Sequence, residues 1–275
     1  MKNILVFIHD DTGQEARLQV ALDITRLVNG HLMCLDVAIP PAAMTDDSLG
    51  GTAGVMLLAD EISREASNRS RLERRLKHEG VSWEWAERTG RIAPSLKEAS
   101  RFADLIVVNR QLHDFPVPDM RAVAGEVIAR SGKPVLAVPE GERRLDTDCA
   151  MIAWDGSASS MAALRQAIPL LARSKRVLLA QVGDGTGDGS DEAAASYLSR
   201  YNIHVRIERI PPSAGGVGAT LVEQATRQRE ADVHHYDQAD HLGRGIEVAK
   251  RAGGLARTGH RTTLPAPRYQ AVHSA

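Results

Sequence analysis

The sequence predicts an α/β fold of two tandem, doubly wound parallel sheets, the second incomplete or irregular toward its C-terminal end. Three observations carry that prediction. Apolar runs without alternation are each followed by a helical stripe, the pattern repeats after about 145 residues, and the composition breaks abruptly near residue 234.

Composition bounds the function classes first. The chain has 275 residues, 34 Lys+Arg against 35 Asp+Glu, 43% hydrophobic and 4% aromatic residues. That length suits two ordinary domains, and the balanced charge gives no general attraction to nucleic acid or an anionic membrane. Two cysteines, Cys34 and Cys149, cannot build a disulfide framework and are expected to be buried, reduced thiols of a cytoplasmic protein. The first apolar run is too short for a signal peptide, and no later stretch reaches the length that spans a bilayer. Neither a membrane nor a nucleic acid is therefore an expected partner.

Residues 4–8 are apolar throughout, as a strand buried on both faces requires. Asp10, Asp11, Thr12 and Gly13 then turn the chain into a helix whose stripe is Ala16, Val20, Ala21, Ile24, Leu27 and Val28, closed by Asn29 and Gly30. A second apolar run, 31–37, completes a β-α-β unit. Residues 40–54 read as a loop. A long helix follows to about Glu79, with Leu58, Ile62, Ala66, Leu72 and Leu76 as its stripe and its many Arg and Glu residues as a solvated face. Gly80 stops it. Residues 81–86, with Trp83 and Trp85 packing on one face, read as a strand, 93–102 as a short helix and 105–108 as the most hydrophobic strand of this half. A helix over 120–129 leads into a fifth strand at 135–138. The first domain is thus expected at 1–140.

After a charged linker the pattern restarts. Asp155 answers Asp10 at a distance of 145 residues, Ile168 answers Ile24 and Val182 answers Val37. The second copy keeps step over 149–233, with a helix at 159–172 bent or restarted at Pro169, a strand at 176–182, a helix at 192–200, a strand at 203–207 and a helix at 220–228. Where its fourth strand is due, the chain reads Val233, His234, His235, Tyr236, Asp237, which is too polar for a central parallel strand. Residues 234–275 form a divergent basic tail. Its last 35 residues hold six Lys+Arg against Glu247 alone, so they carry +5 while the body carries −6. One reading of the break is a segment translated in a frame different from the ancestral one.

The phrases Ala153-Trp154-Asp155-Gly156-Ser157, Ala167-Ile168-Pro169-Leu170-Leu171, Ala103-Asp104-Leu105-Ile106-Val107-Val108 and Ser131-Gly132-Lys133-Pro134-Val135-Leu136-Ala137-Val138-Pro139 carry a resemblance. In order and duplication the chain resembles the universal stress protein family in its tandem form. The resemblance implies Rossmann-like or flavodoxin-like domains, each a five-stranded parallel sheet in strand order 3-2-1-4-5. It also implies dimer-like pairing, either of the two halves or in a homodimer, and a cleft at the strand carboxyl ends that binds ATP in some members. The nucleotide-cleft positions it points to here are Asp10, Val37 and Asn109 in the first half, and Asp155 and Val182 in the second. The commoner role of an aspartate ahead of a helix is an N-cap, which explains both without any ligand.

The family's phosphate-binding pattern, G-x2-G-x9-G-[ST], lets backbone N–H groups approach phosphate ahead of a helix N-terminus. Its places fall here at Asn109, Leu112, Ala122 and Val123, and at Asp237 in the second half, none of them glycine. The expectation is a cytoplasmic stress-response protein with a degenerate cleft and no catalytic residues, acting by binding or partner contacts. The alternative is an adenine-nucleotide binder with at most slow hydrolysis, ATP being the one cofactor the reading admits. No metal ligands are assigned. The Asp184-to-Gly189 segment lacks the Glu an EF-hand needs, and His234, His235, Asp237, Asp240 and His241 read as a surface or tail cluster. Ser157 and Ser159 read as helix-capping hydroxyls, and His9, His31 and His204 as structural residues beside strands.

Overall fold

The computed structural model describes residues 1–40, 52–110, 119–184 and 189–236, together with the short strands Ile246–Val248 and Gln270–His273. They fall into two compact units divided after Arg144.

The first unit runs β1 (Asn3–Ile8), α1 (Gln14–Leu27), β2 (His31–Ala38), α2 (Thr52–Leu76), β3 (Ser82–Thr89), α3 (Ile92–Ala99), β4 (Leu105–Asn109), α4 (Met120–Ser131) and β5 (Val135–Val138). All five strands are parallel, in the order β3-β2-β1-β4-β5. β1 and β4 sit in the centre and are buried on both faces, which is why their sequences do not alternate. One face packs Leu5, Phe7, Leu35, Val37, Ile106 and Val108 against α3 and α4 through Ile92, Leu96, Met120 and Val127.

Local chemistry sets the connections. Asn29 takes the left-handed conformation, φ 48°, while Gly30 lies so close to the Lys2 carbonyl that a Cβ would stand 2.5 Å from it. Asp104, just ahead of β4, accepts hydrogen bonds from the backbone N–H groups of Lys2 (2.5 Å) and Asn3 (3.0 Å) and so ties β4 to the start of β1. Burial alone would raise its pKa, but those two N–H groups hold it below the ordinary carboxylate value.

The long helix departs from expectation in its first half. Ile62 is 47% exposed and Ala66 is exposed, whereas Glu65 and Asn68 are each 3% exposed. The line facing the sheet is Glu61, Glu65, Asn68, Leu72 and Leu76, at helical spacing, so part of the charged face is buried. Cys34 is buried, which pushes its thiol up to about 12, while Cys149 is only half-buried at the start of its strand. Trp83 and Trp85 are half-buried on β3, with the Arg69 guanidinium 5.8 Å over the Trp85 ring.

The second unit runs β6 (Cys149–Trp154), α5 (Ala158–Leu171), β7 (Arg176–Val182), α6 (Asp191–Ser199), β8 (Val205–Ile210) and α7 (Gly216–Tyr236), with β6, β7 and β8 parallel and adjacent in that order. α5 passes through Pro169 without restarting. α7 continues through Ala231, Asp232 and Val233, where alignment with Ala103, Asp104 and Leu105 places the start of a strand. Leu112, Asp237, Asp240 and His241, and most of the glycine-rich loop after Asp184, lie outside the described residues.

Candidate functional site

Open parallel sheets offer ligands a crevice at the carboxyl ends of the strands, where the strand order reverses. In the first unit that place lies between β1 and β4, beyond Ile8 and Asn109. The residues there come from the β1–α1 turn, the end of β4 and the buried face of α2.

Arg17, one turn into α1, points back over the end of β1 and is fully buried. Its Nε donates to the Phe7 carbonyl (2.8 Å), and Nη2 to the His9 carbonyl (3.1 Å) and Asp11 Oδ2 (2.9 Å). Nη1 donates to Asp11 Oδ1 (3.0 Å) and to Asn109 Oδ1. Five N–H donors meet five acceptors, all supplied by the chain itself. Burial pulls the guanidinium below its ordinary pKa, opposed by the bidentate Asp11 carboxylate. The Phe7 ring lies 4.7 Å beneath it, and the Asn109 amide donates onward to the carbonyls of Gly13 (3.2 Å) and Val138 (3.4 Å). Arg17 thus bolts β1, β4 and the α1 turn together in the crevice itself.

A second polar group lies under α2. His9 Nδ1 stands 2.9 Å from Glu65 Oε1 and 3.7 Å from Glu61 Oε1. Glu65 also accepts from the Asp10 N–H (3.1 Å) and from Asn68 Nδ2 (3.1 Å), and Asn68 pairs with the Gln14 amide. Burial raises the Glu65 pKa, but His9, the Asp10 N–H and Asn68 outweigh it and hold the carboxyl below its ordinary value. Asp36, on β2 beneath the same helix, is 3% exposed, and its Oδ1 makes no hydrogen bond. Burial first, then the charges of Glu65 and Glu87, push its carboxyl up to about 8.

Of the positions expected to line a nucleotide cleft, Asn109 ends β4 and belongs to the Arg17 network. Val37, next to last in β2, is buried in the hydrophobic core. Asp10 follows β1, but its side chain is 40% exposed and meets Arg71 (3.2 Å). It is Asp11 that turns inward. Asp10 does not cap α1, whose N-cap is Gly13. In the second unit Val182 ends β7, and Asp155 accepts from the Ser157 N–H (3.0 Å) while Ser157 caps α5 through Ser160 N. Ala122 and Val123 lie in the first turn of α4, whose N-cap is the carboxylate of Asp119. Sequence reasoning missed Arg17, Asp11, Asp36, Glu61 and Glu65 as members of the site, and took His9 for a structural residue. A signal for the glutamates was present, since Glu61 and Glu65 fall in register with Leu72 and Leu76 along one helical line.

Neither a protein-family model nor a curated protein matches the sequence. Solved structures do match. A universal stress protein from Archaeoglobus fulgidus DSM 4304 aligns with a TM-score of 0.63 at 15% identity, covering 92% of this chain and 89% of its own. A protein of unknown function from Pseudomonas aeruginosa PAO1 aligns with a TM-score of 0.51 at 15% identity, covering 99% of this chain and 92% of its own. The strand order β3-β2-β1-β4-β5, the buried β1 and β4, and the alignment over nine-tenths of both chains agree: this chain has the universal stress protein fold.

Proposed function

We propose that the protein is a cytoplasmic stress-response protein of the universal stress type, acting by binding or partner contacts without a catalytic step, and that its nucleotide cleft is degenerate. The observation that carries this reading is Arg17, a buried guanidinium lying in the β1/β4 crevice with every donor already committed to the chain. A phosphate cradle needs uncommitted N–H groups and close backbone approach. Two further features support it. The α4 N-terminus is capped by a carboxylate that repels phosphate, and Asn109, Ala122 and Val123 stand where the glycine pattern needs Gly, Gly and Ser or Thr.

Partner contact has its own support in α2, whose Val55, Met56, Leu57 and Ile62 are 47–64% exposed. A second copy of this chain is one partner that such an apolar row suits. No helix among the described residues is long and apolar enough to cross a membrane. For the second half we propose a five-stranded sheet like the first, over a domain that begins near residue 149. Support comes from Ile246–Val248, parallel to β6, and Gln270–His273, parallel to Ile246–Val248, which would repeat the 1-4-5 order.

The test is the purified protein melted with and without millimolar ATP. The expected result is an unchanged Tm and no nucleotide absorbance in the purified sample. A ligand present at 100 times its Kd would add about 2.7 kcal/mol of stability, so a Tm raised by several degrees would overturn this reading in favour of an adenine-nucleotide binder.

A further inference from the structure

We propose that His9, Glu61 and Glu65 form a binding site for one divalent first-row transition-metal cation, of the zinc or manganese class, at the carboxyl end of β1. The inference does not depend on whether the neighbouring crevice takes a nucleotide.

The three donor atoms lie within 4.8 Å of one another. Ligands held about 2.1 Å from a tetrahedral ion stand about 3.4 Å apart, and the distances from His9 Nδ1 to the two carboxylate oxygens, 2.9 and 3.7 Å, bracket that value. An imidazole with two carboxylates suits zinc, manganese, iron or cobalt, whereas calcium and magnesium favour all-oxygen shells. Three protein ligands leave a coordination position for water.

The bland account is a buried histidine paired with two acids. It leaves too many groups unsatisfied. The His9 side chain is 4% exposed, and its Nδ1, though close to both carboxylates, makes no aligned hydrogen bond to either. Glu61 Oε1 is buried and also without a hydrogen bond, although its sister oxygen accepts from Arg64 (2.6 Å). Leaving such groups unpaired costs about 1–3 kcal/mol each, so lone pairs from the end of β1 and from α2 converging on one point suit a bound cation.

The supporting contacts are those a metal site needs. The His9 ring stacks on Phe7 at 6.0 Å and 14°, which sets its plane. Arg64 holds the outer oxygen of Glu61, while the Asp10 N–H and Asn68 hold Glu65. Glu61, 14% exposed, gives the site an edge open to solvent.

The test uses the full chain, stripped with a chelator and titrated with ZnCl2, with CoCl2 as a spectroscopic probe. One equivalent of Zn2+ should bind and raise the Tm, and Co2+ should show the intense visible bands of four-coordinate geometry. Glu61→Gln, at the solvent edge, should weaken Zn2+ at least about tenfold, while the paired substitution His234→Ala and His235→Ala leaves the affinity unchanged. Side-chain NMR of the unaltered protein reads the site without depending on how any variant folds, since Zn2+ should shift the His9 Nδ1 resonance. No Tm rise, no His9 shift, affinity that survives both Glu61→Gln and Glu65→Gln, affinity lost only with the tail histidines, or binding of Mg2+ in place of Zn2+ would each overturn the proposal.

Discussion

The two units repeat one β-α-β pattern but treat the end of their first strand in opposite ways. In the first unit Asp11 and Arg17 fill the strand end with an ion pair that commits every guanidinium donor, and His9 beside them faces Glu61 and Glu65. At the same places 145 residues later stand Trp154, Gly156 and Ala162. There the indole of Trp154, 4% exposed, donates to the Gly189 carbonyl (3.3 Å), and Gly156 turns the chain at φ 74°. A duplicated sheet keeps its apolar pattern because every strand must stay buried, whereas the few side chains at the strand ends drift freely. The two units therefore share a β-α-β frame over their first strands and differ in the chemistry at the end of the first strand.

The largest expected effect breaks that contrast at Arg17. Arg17→Ala strands a buried Asp11 carboxylate and several buried carbonyls, and should cost about 3–5 kcal/mol in urea unfolding of the first unit. Ala162→Gly, at the matching place in the second unit, should cost only about 1 kcal/mol, the helix-propensity difference. Equal losses would mean that the two strand ends are held alike.

Asp36 sharpens the comparison, because burial pushes its carboxyl up whereas Arg209 holds that of Asp191 in the second unit down. Its folded pKa of about 8 lies above the unfolded value of 3.8, so the unfolded state releases its proton first as pH rises. This contribution to stability is therefore full below pH 4, falls between about 4 and 8, and is flat beyond. Asp36→Asn should stabilise the protein by about 1–3 kcal/mol at pH 8 and leave it unchanged at pH 4, as read from paired urea melts.

The smallest effect has the opposite sign of pH dependence and lies in the second unit. Asp191, in the first turn of α6, accepts two hydrogen bonds from Arg209 (2.7 and 2.9 Å), which, ahead of the opposing effect of burial, hold its carboxyl down at about 2. That stability is present above the unfolded pKa near 4 and is lost as pH falls toward 2. Asp191→Asn should flatten the acid limb of the melting curve in this window and lower stability at pH 7 by the same small amount, at most about 1 kcal/mol, because Arg209 is mostly exposed.

Most of the first sheet was legible in the sequence, since burial on both faces leaves continuous apolar runs such as 4–8 and 105–108. The repeat at 145 residues was legible for the same reason. The site was less so. Of two consecutive aspartates, residue type alone does not say which turns inward, and Arg17, six positions after Asp11, decides it by pairing with Asp11 while Asp10 meets Arg71. In α2, hydrophobicity pointed to Leu58, Ile62 and Ala66, but packing buried Glu65 and Asn68 and half-buried Glu61, because His9, Asp10 and Gln14 supply polar partners there. A hydrophobic stripe is a sound guide only where the facing surface is also apolar.

The central claim is that Arg17 fills the β1/β4 crevice with all its donors committed, and hydrogen exchange at its side chain tests this most directly. With the arginines 15N-labelled and Arg17→Lys used to assign the resonance, the Arg17 Nε–H should exchange far more slowly than those of exposed arginines, and millimolar ATP should not move it. Rapid exchange, or a resonance displaced by ATP, would contradict the account.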